Sequence, residues 1–292
     1  TYGFGKSSLF RMSKCNTVLI ETLTKHKNKN QNRMIGYALG SEFNSAGKRF
    51  TGRHWWGVKS DSLEDPDSVD PLIDDDAKNY AKEMGLMSRL NSTKTGTSLI
   101  ILDPNLEDLE VNFENQIPLI KPEDNDLLCK KLMVRMQEIL LWHAWPKFTP
   151  KEDEVLPMKC TISIFDRTKK LPDPRYISPF DKLTIALNKA RKKEEKIFSI
   201  RPKRLLGYVG VQNCSYDSEI DQRFRNLLGD DSLIPNKLAH FALLRPAELV
   251  VKYLTRNVEE GQDQWCGVFI CDNNKEIEQS FAKSEPPSHD DW

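Results

Sequence analysis

The feature that most constrains the fold is a pair of closely spaced glycines that is followed almost at once by a strand-forming segment. Gly3 and Gly5 stand in the opening sequence TYGFGKSS, and a β-branched run, Asn16 to Thr24, begins about ten residues after Lys6. The residues between, Leu9 to Cys15, can make only about two helical turns. A parallel crossover needs a longer helix, so we expect a glycine loop, a short helix and an antiparallel hairpin.

Hydrophobic periodicity and turn residues predict the remaining elements. In chain order they are the polar hairpin loop Lys25–Arg33, the strand Met34–Leu39, the helix Asp74–Leu86, the strand Ser98–Leu102, the helix Asp126–Trp142, the strand Lys159–Phe165, the helix Pro179–Lys193, and the strands Lys203–Gln212, Ala239–Leu244, Leu249–Leu254 and Trp265–Cys271. Leu128, Leu132, Met136 and Leu140 repeat every fourth residue, and we assign this stripe to the core. Helices and strands are mixed, which predicts an α+β fold whose second half is mainly antiparallel.

Length and composition limit the class of protein. A chain of 292 residues predicts about two domains, and the sequence Trp142 to Pro146 is the expected junction, giving domains 1–145 and 146–292. Lys plus Arg number 43, and so do Asp plus Glu, so the chain has no net charge that would attract it to nucleic acid or acidic membranes. No apolar run reaches the roughly 18 residues of a membrane span.

The six cysteines are scattered and none is in a C-x-x-C, which indicates reduced thiols in the cytoplasm. No spacing of His or Cys residues predicts a metal site.

Two adjacent tryptophans, Trp55 and Trp56, lie between Gly52 and Gly57 beside an arginine and a histidine. Tryptophan next to arginine can form a stacking surface for bases or an adenine ring. The alternative, which we favour at this point, is a loop that packs one tryptophan on the core.

The glycine segment at the start of the chain is the strongest candidate for chemistry. Glycines that run into a helix N-terminus let backbone N–H groups approach a polyphosphate, and the helix dipole favours negative charge there. Lys6 would add a positive charge. Gly5-Lys6-Ser7 also fits the end of a P-loop, G-x-x-x-x-G-K-[ST], although the first glycine would precede Thr1 and the following helix is too short. A tight turn with a surface lysine is the remaining interpretation.

Two segments resemble the GHKL ATPase superfamily, which includes gyrase B, MutL, histidine kinases and Morc-type ATPases. The sequence YGFGKSSLFRMS with the strand Thr17 to Thr22 resembles the second glycine box, which closes the ATP lid, and Thr95-Gly96-Thr97-Ser98 with the strand Leu99 to Leu102 resembles the Gly-Thr box. The resemblance implies a portion of a Bergerat-type α/β sandwich followed by a transducer-like α+β domain. The closing sequence, Phe281 to Trp292, looks like the end of that unit in bacterial Morc-like ATPases.

The resemblance also implies a function, an ATP-driven conformational switch, with ATP and Mg²⁺ as cofactors. The implied nucleotide-binding residues are Gly3, Phe4, Gly5, Lys6, Ser7, Ser8, Thr97 and a second-domain lysine, Lys252, with Lys237 as its alternative. The boxes with the catalytic Glu, the magnesium-binding Asn and the adenine loop would precede Thr1, so no catalytic residue is assigned and this chain alone is not expected to hydrolyse ATP.

Three classes of partner remain candidates besides ATP: nucleic acid, a second copy of the chain, and another protein. Two other function classes also stay open. One is a non-catalytic scaffold that retains a degenerate glycine loop, and the other is a fragment of a P-loop NTPase.

Overall fold

The computed structural model describes residues 4–61, 68–86, 94–105, 126–151, 155–214, 222–235, 237–256 and 263–285. The fold is mixed α+β, as the sequence predicts. The chain separates into two compact units, residues 1–108 and 109–292, which we call unit 1 and unit 2. Within the described ranges, no helix is both long and apolar enough to cross a membrane.

Unit 1 is built on an antiparallel sheet. Its described elements are α1 (Phe4–Arg11), β1 (Thr17–His26), β2 (Lys29–Leu39), β3 (Phe43–Ser45), β4 (Lys48–Phe50), β5 (Arg53–Trp56), β6 (Val58–Lys59), β7 (Val69–Asp70), β8 (Leu72–Ile73), α2 (Asp74–Glu83) and β9 (Gly96–Ile101). The main sheet has the order β5-β2-β1-β9, and β8 pairs with the middle of β2, at Arg33 and Met34. Its strand pairs are all antiparallel.

The hairpin of β1 and β2 is confirmed, but its turn is shorter than predicted. Lys27 and Asn28 both have positive φ, 47° and 63°, as a two-residue turn requires. The polar tract predicted as a loop, Lys25–Arg33, therefore continues the two strands, with Thr24 opposite Gln31. We predicted a loop because the tract is polar. The end of a hairpin that projects into solvent is polar too, so composition alone does not distinguish the two.

A small core lies between α2 and one face of the unit 1 sheet. Leu19 on β1 and Met34 on β2 pack against Ala77 and Ala81 of α2. The two alanines are almost completely buried. Their small side chains let the helix backbone approach the sheet closely.

Unit 2 is a second sheet with helices on it. Its described elements are α3 (Asp126–Ala144), β10 (Thr161–Ile164), β11 (Arg167–Lys170), α4 (Phe180–Arg191), β12 (Glu195–Phe198), β13 (Leu205–Cys214), α5 (Arg225–Leu228), β14 (Ala239–Leu244), β15 (Val250–Thr255), β16 (Gln264–Cys271) and α6 (Lys275–Ser284). The strand order is β12-β13-β16-β14-β15, and only the β14–β16 pair is parallel among the pairs that join these strands. The predicted mainly antiparallel second half is thus confirmed.

The core stripe predicted along α3 is wrong by one residue. Met136 is 37% exposed, whereas Cys129, Met133 and Leu141 are buried. One residue corresponds to a rotation of about 100° around the helix axis. The buried face of α3 also includes two charged residues, described below, which the apolar stripe cannot indicate.

The segment predicted as the domain junction lies inside the core of unit 2. Trp145 is fully buried, and its indole N–H donates to the Tyr253 hydroxyl over 3.0 Å. That hydroxyl donates to the carbonyl of Trp142 at 2.7 Å, and the Trp142 and Tyr253 rings stack with centroids 4.2 Å apart. The expected boundary between residues 145 and 146 therefore differs from the observed division after residue 108.

Candidate functional site

The glycine segment is helical rather than an open loop. Helix α1 begins at Phe4, five residues before the predicted helix, so that Gly5, Lys6 and Ser7 belong to its first two turns. Gly3 lies outside the described residues. The first N–H groups of a helix have no partner within the helix, and the first turn of α1 carries no acidic residue. This end of α1 has the backbone donors and dipole direction that favour an anion.

An aromatic contact holds α1 on the sheet of unit 1. Phe10 is buried and meets the ring of Tyr37 edge-on, with centroids 4.9 Å apart. Tyr37 in turn stacks on Trp55 at 3.9 Å with an interplanar angle of 8°. The last turn of α1 is therefore fixed by the strands β2 and β5, while Ser8 on the same helix is exposed.

Polar contacts tie the residues after α1 to the end of β9. The Ser13 hydroxyl donates to the carbonyl of Leu102 at 2.5 Å and accepts from the backbone N–H of Thr17 at 3.0 Å. The backbone N–H of Lys14 donates to the carbonyl of Asp103 at 2.9 Å. The two segments that carry the predicted nucleotide-binding motifs are thus joined within one unit.

Thr97 itself lies at the other end of β9. Its hydroxyl is 3.1 Å from the hydroxyl of Thr22, the residue opposite it on β1. The contacts of Ser13 and Lys14 are at the Ile101 end of β9. Thr97 and Ile101 are four residues apart, which is about 14 Å at the usual rise of a strand. The described contacts therefore connect α1 with the end of β9 opposite Thr97.

The two lysines considered for a phosphate contact lie in unit 2. Lys252 is half-buried on β15, where it faces Leu243 of β14, and Lys237 is exposed just before β14. Their role toward a phosphate stays a prediction from the resemblance.

A large cleft of about 1020 Å³ lies in unit 2 at the C-terminal end of α4. Arg191 lines it but is neutralised by two bonds to Glu248, at 2.7 and 3.1 Å. The Lys193 ammonium lies over the ring of Tyr208, 5.1 Å from its centroid. None of the nucleotide-binding residues implied by the resemblance lines this cleft, and the carbonyl end of a helix disfavours an anion.

The chemistry of that cleft is further limited by its thiol. Burial, the largest cause, raises the pKa of Cys271 to about 12, so the thiol stays protonated at neutral pH and is a poor nucleophile. Across the described ranges, no three His, Cys, Asp or Glu side chains are grouped closely enough to hold a metal ion.

Sequence reasoning missed a buried ion pair on α3. Arg135 is 2% and Glu138 0% exposed, and their side chains meet at 2.7 Å. Glu138 also accepts the backbone N–H of Leu233 at 2.9 Å, while Arg135 donates to the carbonyl of Asp231 at 2.8 Å. The signal was an Arg and a Glu three residues apart within an apolar helix, a spacing that brings them together on one face.

The sequence between Gly52 and Gly57 forms strand β5 rather than a loop. Trp55 is 49% and Trp56 51% exposed, so the preferred interpretation, one tryptophan packed on the core, is wrong. Side chains of neighbouring strand residues point to opposite faces, and each tryptophan therefore covers a different face of the sheet.

No protein-family model, no curated protein and no solved structure matches the chain. Function is therefore inferred from the residues of unit 1 and unit 2 and from their placement.

Proposed function

We propose that the start of α1 binds the phosphates of ATP in a site of the GHKL type, and that the protein is an ATP-driven conformational switch. The observation that carries this proposal is the arrangement around α1. Helix α1, whose first two turns hold Gly5, Lys6 and Ser7, is followed by Ser13, and the Ser13 hydroxyl bonds to Leu102 at the end of β9 opposite Thr97. The order of glycine segment, hairpin and threonine strand is the order on which the resemblance rests.

The chemistry of the segment supports a phosphate ligand. Backbone N–H groups at a helix N-terminus donate to phosphate oxygens without any side chain, and Lys6 contributes a formal positive charge. Mg²⁺ would neutralise further charge on the triphosphate, but none of the residues 1–292 is assigned as its ligand. The general base of hydrolysis is likewise unassigned, so the proposal for this chain is binding of the phosphates.

The strand pairing favours this proposal over a P-loop. In a P-loop protein the helix after the glycines leads across to a parallel strand. Here α1 has eight residues and leads into β1, which pairs antiparallel with β2 and β9. The non-catalytic scaffold remains the alternative, and nucleotide binding distinguishes the two.

Calorimetric titration of the full chain with ATP tests the proposal. Lys6→Ala removes the charge, and Gly5→Val places a branched side chain beside the donors of the first turn. Loss of one charge-assisted hydrogen bond costs about 1.5–3 kcal/mol, so each variant should bind about 10- to 150-fold more weakly. Inorganic triphosphate should compete with ATP, because the proposed contacts are with phosphate.

Lys29→Ala is the matched control, since Lys29 is an exposed lysine of the same unit on the hairpin. It should bind ATP like the parent chain. If Lys6→Ala and Gly5→Val also bind like the parent, the glycine segment is only a helix start. If the parent shows no binding of ATP or triphosphate, the scaffold alternative is favoured.

A further inference from the structure

We propose that an aromatic and basic surface of unit 1 binds single-stranded nucleic acid by stacking its bases. This surface is distinct from the proposed phosphate-binding end of α1. It consists of four rings on β3, β4 and β5, which we call the aromatic row: Phe50, Phe43, His54 and Trp56.

The rings of the aromatic row follow one another across neighbouring strands. Phe50 and Phe43 stack with centroids 5.0 Å apart and an interplanar angle of 12°. Phe43 and His54 stack at 5.6 Å and 22°, and His54 and Trp56 follow at 6.4 Å and 32°. Rings that stack on one another cover their shared faces, so this row offers its ring edges and the outer faces at its two ends, Phe50 and Trp56, where a base can extend the stack.

The aromatic row is exposed although it is strongly apolar. Phe43, Phe50 and Trp56 are 45%, 39% and 51% exposed. Side chains of this size are normally buried, and a cluster of them on a surface marks an interaction site.

Local backbone geometry holds the hairpin of β3 and β4 beside β5. The N–H of Gly40 donates to the carbonyl of Gly52 at 2.8 Å. Gly52 has a φ of +75°, and a Cβ at this position would overlap the carbonyl oxygens of Gly40 and Ser41. Only glycine fits here, so the rings on the hairpin are positioned before any ligand binds.

The charge of the segment points to a polyanion as the ligand. Residues 43–60 contain Lys48, Arg49, Arg53 and Lys59 and no Asp or Glu, although the whole chain has no net charge. Arg49 pairs with Glu42 at 2.6 Å, but both side chains are more than 60% exposed, and such a pair exchanges readily for a phosphate. An apolar protein partner would explain the rings but not the excess of cations in residues 42–61, which hold four Lys or Arg against Glu42 and Asp61.

A cleft adjoins the end of the aromatic row. It has a volume of about 390 Å³ and is bordered by Trp56, Met34, Tyr80 and Met84. Apolar and aromatic walls of this kind suit an unstacked base. Stacking in the row and the cleft together requires bases that are free of a complementary strand, so we expect single strands to bind and duplexes to bind weakly.

Fluorescence anisotropy with labelled oligo(dT) and oligo(U) of about 16 nucleotides tests the proposal on the full chain. Phe43→Ala and Trp56→Ala should each weaken binding about 5- to 150-fold, the usual effect of losing one stacked base. Trp56→Phe keeps a ring and should retain most of the affinity. Arg53→Ala should make the negative slope of log association constant against log salt concentration shallower by about 0.7. This is the value for one phosphate contact on a single strand.

Tyr176→Ala and Lys169→Ala are the matched controls in unit 2. Tyr176 is 78% exposed and Lys169 is exposed on β11, and both variants should bind like the parent. Circular dichroism should show that every variant remains folded. Binding of DNA alone, RNA alone or both supports the proposal and identifies the ligand.

Three results would overturn it. The first is binding weaker than about 100 µM for both oligonucleotides, the weak limit of non-specific nucleic-acid affinity. The second is parent-like binding by Phe43→Ala and Trp56→Ala. The third is a dimer that Phe43→Ala dissociates, without any nucleic-acid binding, which would assign the aromatic row to contacts between copies of the chain.

Discussion

At the residue scale, Arg135 and Glu138 form an ion pair in which both charged side chains are almost completely buried. Glu138 accepts hydrogen bonds from the loop at 232–234, so the pair fastens that loop to α3. Two nitrogens of Arg135, Nε and Nη2, are buried without a hydrogen-bond partner among the described residues. An ion pair whose donors are incompletely satisfied contributes more to the position of the loop than to stability.

Glu138→Ala should lower the free energy of unfolding by about 3–5 kcal/mol, because it leaves the Arg135 charge buried and uncompensated. The double variant Arg135→Met/Glu138→Leu should recover much of that loss. Arg204 and Glu276, which pair at 3.0 Å on the surface, provide the control, and Arg204→Ala should change stability by less than about 1 kcal/mol. Urea denaturation measures all three, and an equal effect of the buried and the exposed change would contradict the argument.

A second residue-scale prediction concerns His240. Burial lowers the pKa of His240, and its Nδ1 accepts the backbone N–H of Ala239 at 3.2 Å, so the folded state holds the ring neutral. The unfolded chain binds a proton near pH 6.5, and the folded chain only at a lower pH. The stabilisation that comes from keeping His240 neutral is therefore complete above about pH 6.5. It is lost as the pH falls through the pKa of His240 in the folded state.

His240→Gln should reduce the fall in unfolding free energy between about pH 7.5 and 5.5, measured by urea titration at each pH. A parent-like slope for His240→Gln would show that other groups account for the effect.

At the element scale, the packing of α4 on the unit 2 sheet depends on a glycine in β13. A Cβ at Gly210 would overlap the Ala186 carbonyl oxygen and lie 2.7 Å from the backbone N of Ala190. The neighbouring atoms are helix backbone, which cannot rotate away as a flexible side chain can. The helix and strand therefore approach more closely than any larger residue allows.

Gly210→Ala should destabilise unit 2 by about 1–3 kcal/mol, the usual effect of overpacking. Hydrogen exchange of peptides that cover β13 and α4 should show the loss of protection. Gly40→Ala is the control, because a Cβ there would make only an ordinary contact, 3.6 Å from the Gly52 carbonyl oxygen. Unchanged exchange in Gly210→Ala would mean that α4 can move outward without cost.

At the scale of the whole molecule, each unit has its own hydrophobic core. Leu19 and Met34 belong to the core of unit 1, and Leu183, Leu244 and Val268 belong to that of unit 2. The described members of these two clusters do not overlap. Units with separate cores are expected to lose structure separately.

Leu19→Ala should therefore raise hydrogen exchange in β1, β2 and β9 and leave β13 and β16 protected, and Leu244→Ala should do the reverse. Each truncation removes buried side-chain volume and should cost its own unit about 2–5 kcal/mol. Loss of protection in both sheets from either variant would indicate one cooperative folding unit instead.

The sequence by itself determined the local elements of this protein. The β1–β2 hairpin, the strand Ala239–Leu244 and the mixed α+β class follow from alternation, turn residues and helical periodicity. These signals arise from neighbours within about four residues, which is why they can be read without the tertiary fold. The glycine segment was also evident, although its role in ATP binding stays a proposal.

Only the tertiary structure decided which surfaces meet. The core position of Trp145 depends on Tyr253, and the burial of Glu138 depends on a loop 94 or more residues further along the chain. The aromatic row likewise needs the hairpin of Phe43 and Phe50 to fold beside His54. Such contacts carry no periodic signal, because they result from the closing of loops and the packing of distant elements.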